Sequence, residues 1–125
     1  MIDEQEIYAR IGDDGFRRLV HAFYRQVPDD DILGPMYPKD DLAGAEQRLL
    51  GFLIFRFGGP PYYIAERGHP RLRMRHAPFL IDEAARDRWL QLMGRAFEDA
   101  KLPEDVEALL GQFFHSVAAA MVNHQ

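Results

Sequence analysis

Gly58-Gly59-Pro60-Pro61 is the sharpest constraint in this chain, because paired glycines lose the most backbone entropy on ordering and paired prolines remove two N–H donors. Neither a helix nor a central strand can run through it, so the chain must be organised as blocks on either side. On the amino-terminal side Phe16, Leu19, Val20, Phe23, Tyr24 and Val27 recur at spacings of three and four. That spacing predicts an amphipathic helix over about 15–27, ended by Pro28. A turn-rich stretch over 29–39 follows, and Asp40 or Asp41 then caps a helix with the inner stripe Leu42, Ala45, Leu49, Phe52 and Leu53. Beyond the break, residues 58–69 read as an irregular link. Asp82 caps a helix lined by Ala85, Trp89, Leu92, Met93, Ala96 and Phe97. Leu102-Pro103-Glu104 opens the last helix, whose stripe is Val106, Leu109, Leu110, Phe113, Val117, Ala118 and Met121. The pattern predicts an all-α fold.

A chain of 125 residues with 47% hydrophobic content matches one domain, residues 1–125, with enough apolar material to enclose a small cofactor. Its net charge of −5 argues against nucleic acid and anionic membrane as partners. With no cysteine, disulfides, thiolate catalysis, iron–sulfur clusters and thioether attachment of a prosthetic group are all excluded. No apolar run reaches membrane-spanning length, and the start Met-Ile-Asp-Glu-Gln-Glu is acidic where a signal peptide would be basic. Both features predict a cytoplasmic protein.

Most of the chemistry is concentrated between Glu66 and Ile81. Pro70 is suited to open a short helix and Pro78 to end it, which sets His76 in its last turn. Leu72 and His76 then share a face that Phe79 extends, while Arg71 and Arg75 line the flank. An imidazole facing apolar surface with guanidinium groups at its rim suits an iron porphyrin bearing propionates. A hydrogen-bonded core histidine fits the same pattern, and the Arg-x-Arg-x-Arg alternation also fits an exposed strand or a phosphate-binding stripe.

Four long helices with a short histidine helix would be a small version of a globin. The chain resembles the group II truncated hemoglobins, whose fold is a two-over-two α-helical sandwich around a heme. The resemblance is carried by Tyr8-Ala9-Arg10-Ile11-Gly12, Phe23-Tyr24, Met36-Tyr37-Pro38, Asp41 to Glu46, Phe57-Gly58-Gly59-Pro60, Arg67 to Phe79 and Arg86-Asp87-x-Trp89. One departure is Gly12-Asp13-Asp14-Gly15, where many relatives have a Gly-Gly pair; it bears on the corner before the first long helix and on the placement of the amino terminus.

The resemblance implies noncovalent heme b with His76 as the iron ligand. It also implies that Tyr24, Tyr37, Ala45, Leu49 and Trp89 face the ligand side. Two hydroxyls and an indole N–H would then stabilise charge on a bound diatomic ligand, and Ala45 would stand where larger globins carry a gating histidine. Phe52, Leu49, Leu72, Phe79 and Met93 would contact the porphyrin or wall its cavity, and Arg75, Tyr63 and Arg67 would reach the propionates. The ligands so implied are dioxygen, carbon monoxide and nitric oxide. The implied roles are oxygen binding and transport, nitric oxide detoxification by dioxygenation, or peroxidase-like turnover with a reductase as partner. Non-catalytic gas sensing or storage uses the same pocket. A heme-free helical adaptor acting through the Arg71–Arg75 surface is the remaining alternative.

Overall fold

The computed structural model describes residues 3–37, 40–61 and 82–122. Within them lie four α-helices: α1 (Ile7–Tyr24), α2 (Leu42–Arg56), α3 (Glu83–Ala100) and α4 (Glu104–Met121). The other regular elements among these residues are short 3-10 turns at Glu4–Glu6, Val27–Asp29 and Gly34–Met36. Helix α1 packs on α2, α3 packs on α4, and α1 also lies against α3, which joins the two pairs. The core forms where they meet, from Phe16, Leu19 and Phe23 of α1, Leu50, Leu53 and Ile54 of α2, Leu92 and Met93 of α3, and Val106, Leu110 and Phe114 of α4.

Local chemistry explains most helix boundaries. The Asp82 carboxylate accepts the Ala85 N–H at 2.9 Å, so it caps α3 as its sequence position predicts. Pro103 precedes the first turn of α4, which carries Glu104, Asp105 and Glu107 at the positive end of the helix dipole. Asp41 is the cap residue of α2, but its side chain is turned to Arg48 at 3.2 Å.

Two boundaries differ from the sequence-based expectation. Helix α1 ends at Tyr24, not near Val27, and Pro28 lies inside a separate 3-10 turn. Pro28 has no N–H to give the Tyr24 carbonyl four residues back, so the α-helical ladder cannot continue to Val27. At its other end α1 begins at Ile7, because two helical runs meet at Gly12. Gly12 makes that corner with φ 63° and ψ −172°, a conformation open to a residue without Cβ.

The buried side of α2 is also rotated from the predicted stripe. Leu49, Leu50, Leu53 and Ile54 are buried, whereas Leu42, Ala45 and Phe52 are only half-buried. Helix α2 is apolar around most of its circumference, even to Phe55 at 45% exposure, so periodicity could not select one face.

The amino-terminal segment is anchored to the end of α2. The Tyr8 N–H donates to the Phe57 carbonyl at 3.0 Å, the Gln5 amide donates to the Arg56 carbonyl at 3.2 Å, and Arg56 pairs with Glu4 at 3.0 Å. This close passage needs Gly58, whose φ is 99° and where an added Cβ would collide with the Gln5 carbonyl oxygen. Gly58→Ala is expected to cost about 1–3 kcal/mol. Gly94→Ala, in an open position on α3, should be neutral or mildly stabilising. Thermal denaturation of the two variants checks this contrast, and equal melting temperatures would refute it.

Candidate functional site

Tyr24, Leu49 and Trp89 reach the same cavity from three helices, and Tyr37 joins them from the segment after the Gly34–Met36 turn. Leu33, Met36, Ala85, Arg86, Val117, Ala118 and Met121 complete the lining. The cavity measures about 620 Å³ with its open mouth included. Its wall is mainly hydrocarbon, interrupted by two phenol hydroxyls, one indole and the Arg86 side chain.

Aromatic contacts orient the polar tips. The Tyr24 and Tyr37 rings meet edge to face at 5.7 Å. Phe23 packs on Tyr24 at 5.2 Å and on Trp89 at 5.3 Å, while Phe114 also contacts the indole at 5.5 Å. Such pairs favour offset or perpendicular geometry and limit rotation of each ring.

Burial of these hydroxyls governs their protonation. Removal from water pushes the Tyr24 pKa well above that of an ordinary phenol, and the neighbouring Tyr37 adds to the shift while Arg48 opposes it. Desolvation likewise pushes Tyr37 up to about 12, partly opposed by a hydrogen bond from the Trp89 indole N–H. Both tyrosines therefore remain protonated at neutral pH and retain an O–H to donate. Trp89 supplies a donor with no acceptor function.

The cavity brings together Tyr24, Tyr37, Leu49 and Trp89 of the site residues that the sequence predicts. Ala45 and Phe52 pack against the core from α2 but stand outside this lining. Phe52 instead approaches Phe113, at 6.3 Å. Met93 is 2% exposed and belongs to the core one turn beyond Trp89, also outside the lining. Tyr63, Arg67, Leu72, Arg75, His76 and Phe79 lie outside the described residues.

Several lining residues are not among the predicted site residues. Val117, Ala118 and Met121 read as the end of an ordinary core stripe, and Met36 reads as one member of a turn motif. The spacing of Val117 and Met121, one turn apart at the end of their helix, is the signal the sequence offers. Among the described residues Arg86 is the only cation in the lining, and it pairs with Asp87 at 3.0 Å.

Among the described residues no group of three or more His, Cys, Asp or Glu could hold a metal ion. None of their helices is long and apolar enough to cross a membrane. The donor chemistry instead suits an apolar prosthetic group: hydrocarbon walls for a flat ring, with neutral hydrogen-bond donors for a small polar ligand.

Comparison with known proteins agrees with this arrangement. The bacterial-like globin family profile matches residues 6–123. A group 2 truncated hemoglobin from Bacillus subtilis (strain 168) is 36% identical over 116 residues, covering 93% of this chain and 87% of that protein. Among solved structures, a thermostable hemoglobin from the actinobacterium Thermobifida fusca superposes with a TM-score of 0.86 at 47% identity, over 94% of this chain and 96% of that one. A truncated oxygen-avid haemoglobin from Bacillus subtilis gives a TM-score of 0.85 at 36% identity, over 94% and 98% of the two chains. Four helices in two joined pairs, an aromatic pocket with hydroxyl and indole donors, and these relationships over nearly the full sequence lead to one assignment: the chain belongs to the bacterial-like globins, as a group II truncated hemoglobin with the two-over-two fold.

Proposed function

We propose that residues 1–125 act as a single heme b domain in which His76 would hold the iron and Tyr24, Tyr37 and Trp89 would donate hydrogen bonds to dioxygen and other diatomic ligands. The observation carrying this reading is the convergence of two neutral phenols and an indole N–H in one apolar cavity. When bound, the heme would supply an iron that coordinates diatomic gases and can itself change oxidation state with an external electron donor. The chain supplies donors fixed by packing, whose dipoles stabilise partial negative charge on oxygen without reorganising. Leu49 excludes water from the same space, which strengthens those hydrogen bonds. The oxygen-avid relative supports the reading.

Conversion of nitric oxide by the oxygenated protein is the proposed activity, with peroxide reduction as a second redox use of the same centre. A reductase is its proposed electron donor, and the cytoplasm its proposed location. Tyr63, Leu72, Arg75 and Phe79, with Phe52 and Met93 from the described helices, are proposed to contact the porphyrin, and Ala45 to leave the entry beside it unobstructed. The test is an absorption series of ferric, ferrous, oxygenated and carbon monoxide forms, followed by stopped-flow mixing of the oxygenated form with nitric oxide. Rapid conversion to the ferric form with nitrate production is expected. A colourless protein that gains no Soret band with added hemin would overturn heme binding. Normal gas spectra with slow nitric oxide conversion would leave a sensing or storage globin.

A further inference from the structure

The pocket segment over 30–37 meets α3 at two consecutive residues of that helix, Arg88 and Trp89. Trp89 shares the pocket with Tyr37. Arg88 acts outside it, where its Nη1 donates to Asp30 Oδ1 at 2.6 Å and to Asp31 Oδ1 at 2.8 Å. The Asp30 side chain is only 8% exposed, and its Oδ2 accepts the Ile32 N–H at 3.1 Å and the Leu33 N–H at 2.8 Å.

The backbone then carries this anchor toward Tyr37. The Asp30 carbonyl accepts the Gly34 N–H at 2.9 Å, and the Leu33 carbonyl accepts the Met36 N–H at 2.9 Å. A displacement at Asp30 therefore passes through Leu33 and Met36, both in the pocket wall, to the Tyr37 ring, which shares that pocket with Trp89. Burial by itself would raise the Asp30 pKa, but the Leu33 N–H, Arg88 and the Ile32 N–H more than offset it, and the net shift is downward. The carboxylate stays charged at neutral pH, so the Arg88 link persists there.

We propose that Asp30 and Arg88 are positioning residues for the distal donors: their ion pair, lying outside the pocket, sets where the Tyr37 hydroxyl stands relative to the Trp89 indole. This rests on the oxygen-binding reading above and adds a residue pair to its determinants. Charge-assisted hydrogen bonds with one nearly enclosed partner are strong enough to fix a short turn.

The test uses the heme-loaded protein with two readouts, the dioxygen dissociation rate and the C–O stretching bands of the carbon monoxide form in the infrared. Asp30→Ala is expected to split or shift the C–O band and to speed dioxygen release by about 3- to 10-fold, the effect of weakening one donor. Arg88→Met should do the same from the other side, and also serves if Asp30→Ala fails to fold. Arg88→Lys should restore most of the parent behaviour. In a Tyr37→Phe background, Asp30→Ala should add less than about a twofold change, because the group it positions is gone. A lowered melting temperature with both readouts unchanged in Asp30→Ala and Arg88→Met would overturn the proposal. So would an undiminished Asp30→Ala effect in the Tyr37→Phe background. If Tyr37→Phe itself changes neither readout, the donor role of Tyr37 fails first and the positioning role with it.

Discussion

His76→Gly is expected to yield a protein that loses most of its heme during purification and recovers part of its ferrous spectrum when imidazole is added. The substitution removes the proposed iron ligand and leaves a space that free imidazole can enter. His21 and His115 cannot take over the role without rearrangement. His21 is exposed on α1 and faces Glu46 at 3.4 Å, and His115 is exposed on α4. His69 and His124 lie outside the described residues. A variant that retained heme and showed a normal five-coordinate spectrum without imidazole would assign the iron to another side chain.

Trp89→Phe and Tyr24→Phe are each expected to accelerate dioxygen release by roughly 10- to 100-fold, since a hydrogen bond to a charged acceptor contributes about 1.5–3 kcal/mol. Carbon monoxide release should change much less, because a neutral ligand gains little from the same donors. The two effects will not sum, for a reason visible in the packing. Trp89 shares the pocket with Tyr37, whose ring contacts Tyr24, so either substitution alters the surroundings of the hydroxyls that remain. Flash photolysis and stopped-flow displacement give both rates. If neither variant alters dioxygen release by more than about twofold, escape through the apolar walls around Leu49 controls the rate.

That Tyr24, Tyr37 and Trp89 share one pocket is legible in the sequence, although through family resemblance and not through the chemistry of the residues. A tyrosine or tryptophan on an inner face usually belongs to the core with its polar tip bonded to backbone. The residues themselves do not say which aromatic faces a pocket. Met93 and Trp89 lie on the same predicted stripe of α3, yet Met93 enters the core and Trp89 lines the cavity. The neighbours that separate these fates, Phe23 and Phe114, come from other helices.

What the sequence determined by itself is whatever depends on neighbours along the chain. The breaks at Gly58-Gly59-Pro60-Pro61, the Asp82 cap, the Pro103 start and the all-α class follow from backbone sterics and local hydrogen bonding, which act over a few residues. What only the tertiary structure decided is whatever needs two distant segments to meet. The buried face of the almost uniformly apolar α2, the cavity wall from the end of α4, the meeting of Trp89 and Tyr37 in one pocket and the Arg88 grip on Asp30 are of this kind. Helical periodicity reports that a face is buried, but the packing of the other helices decides what that face is buried against.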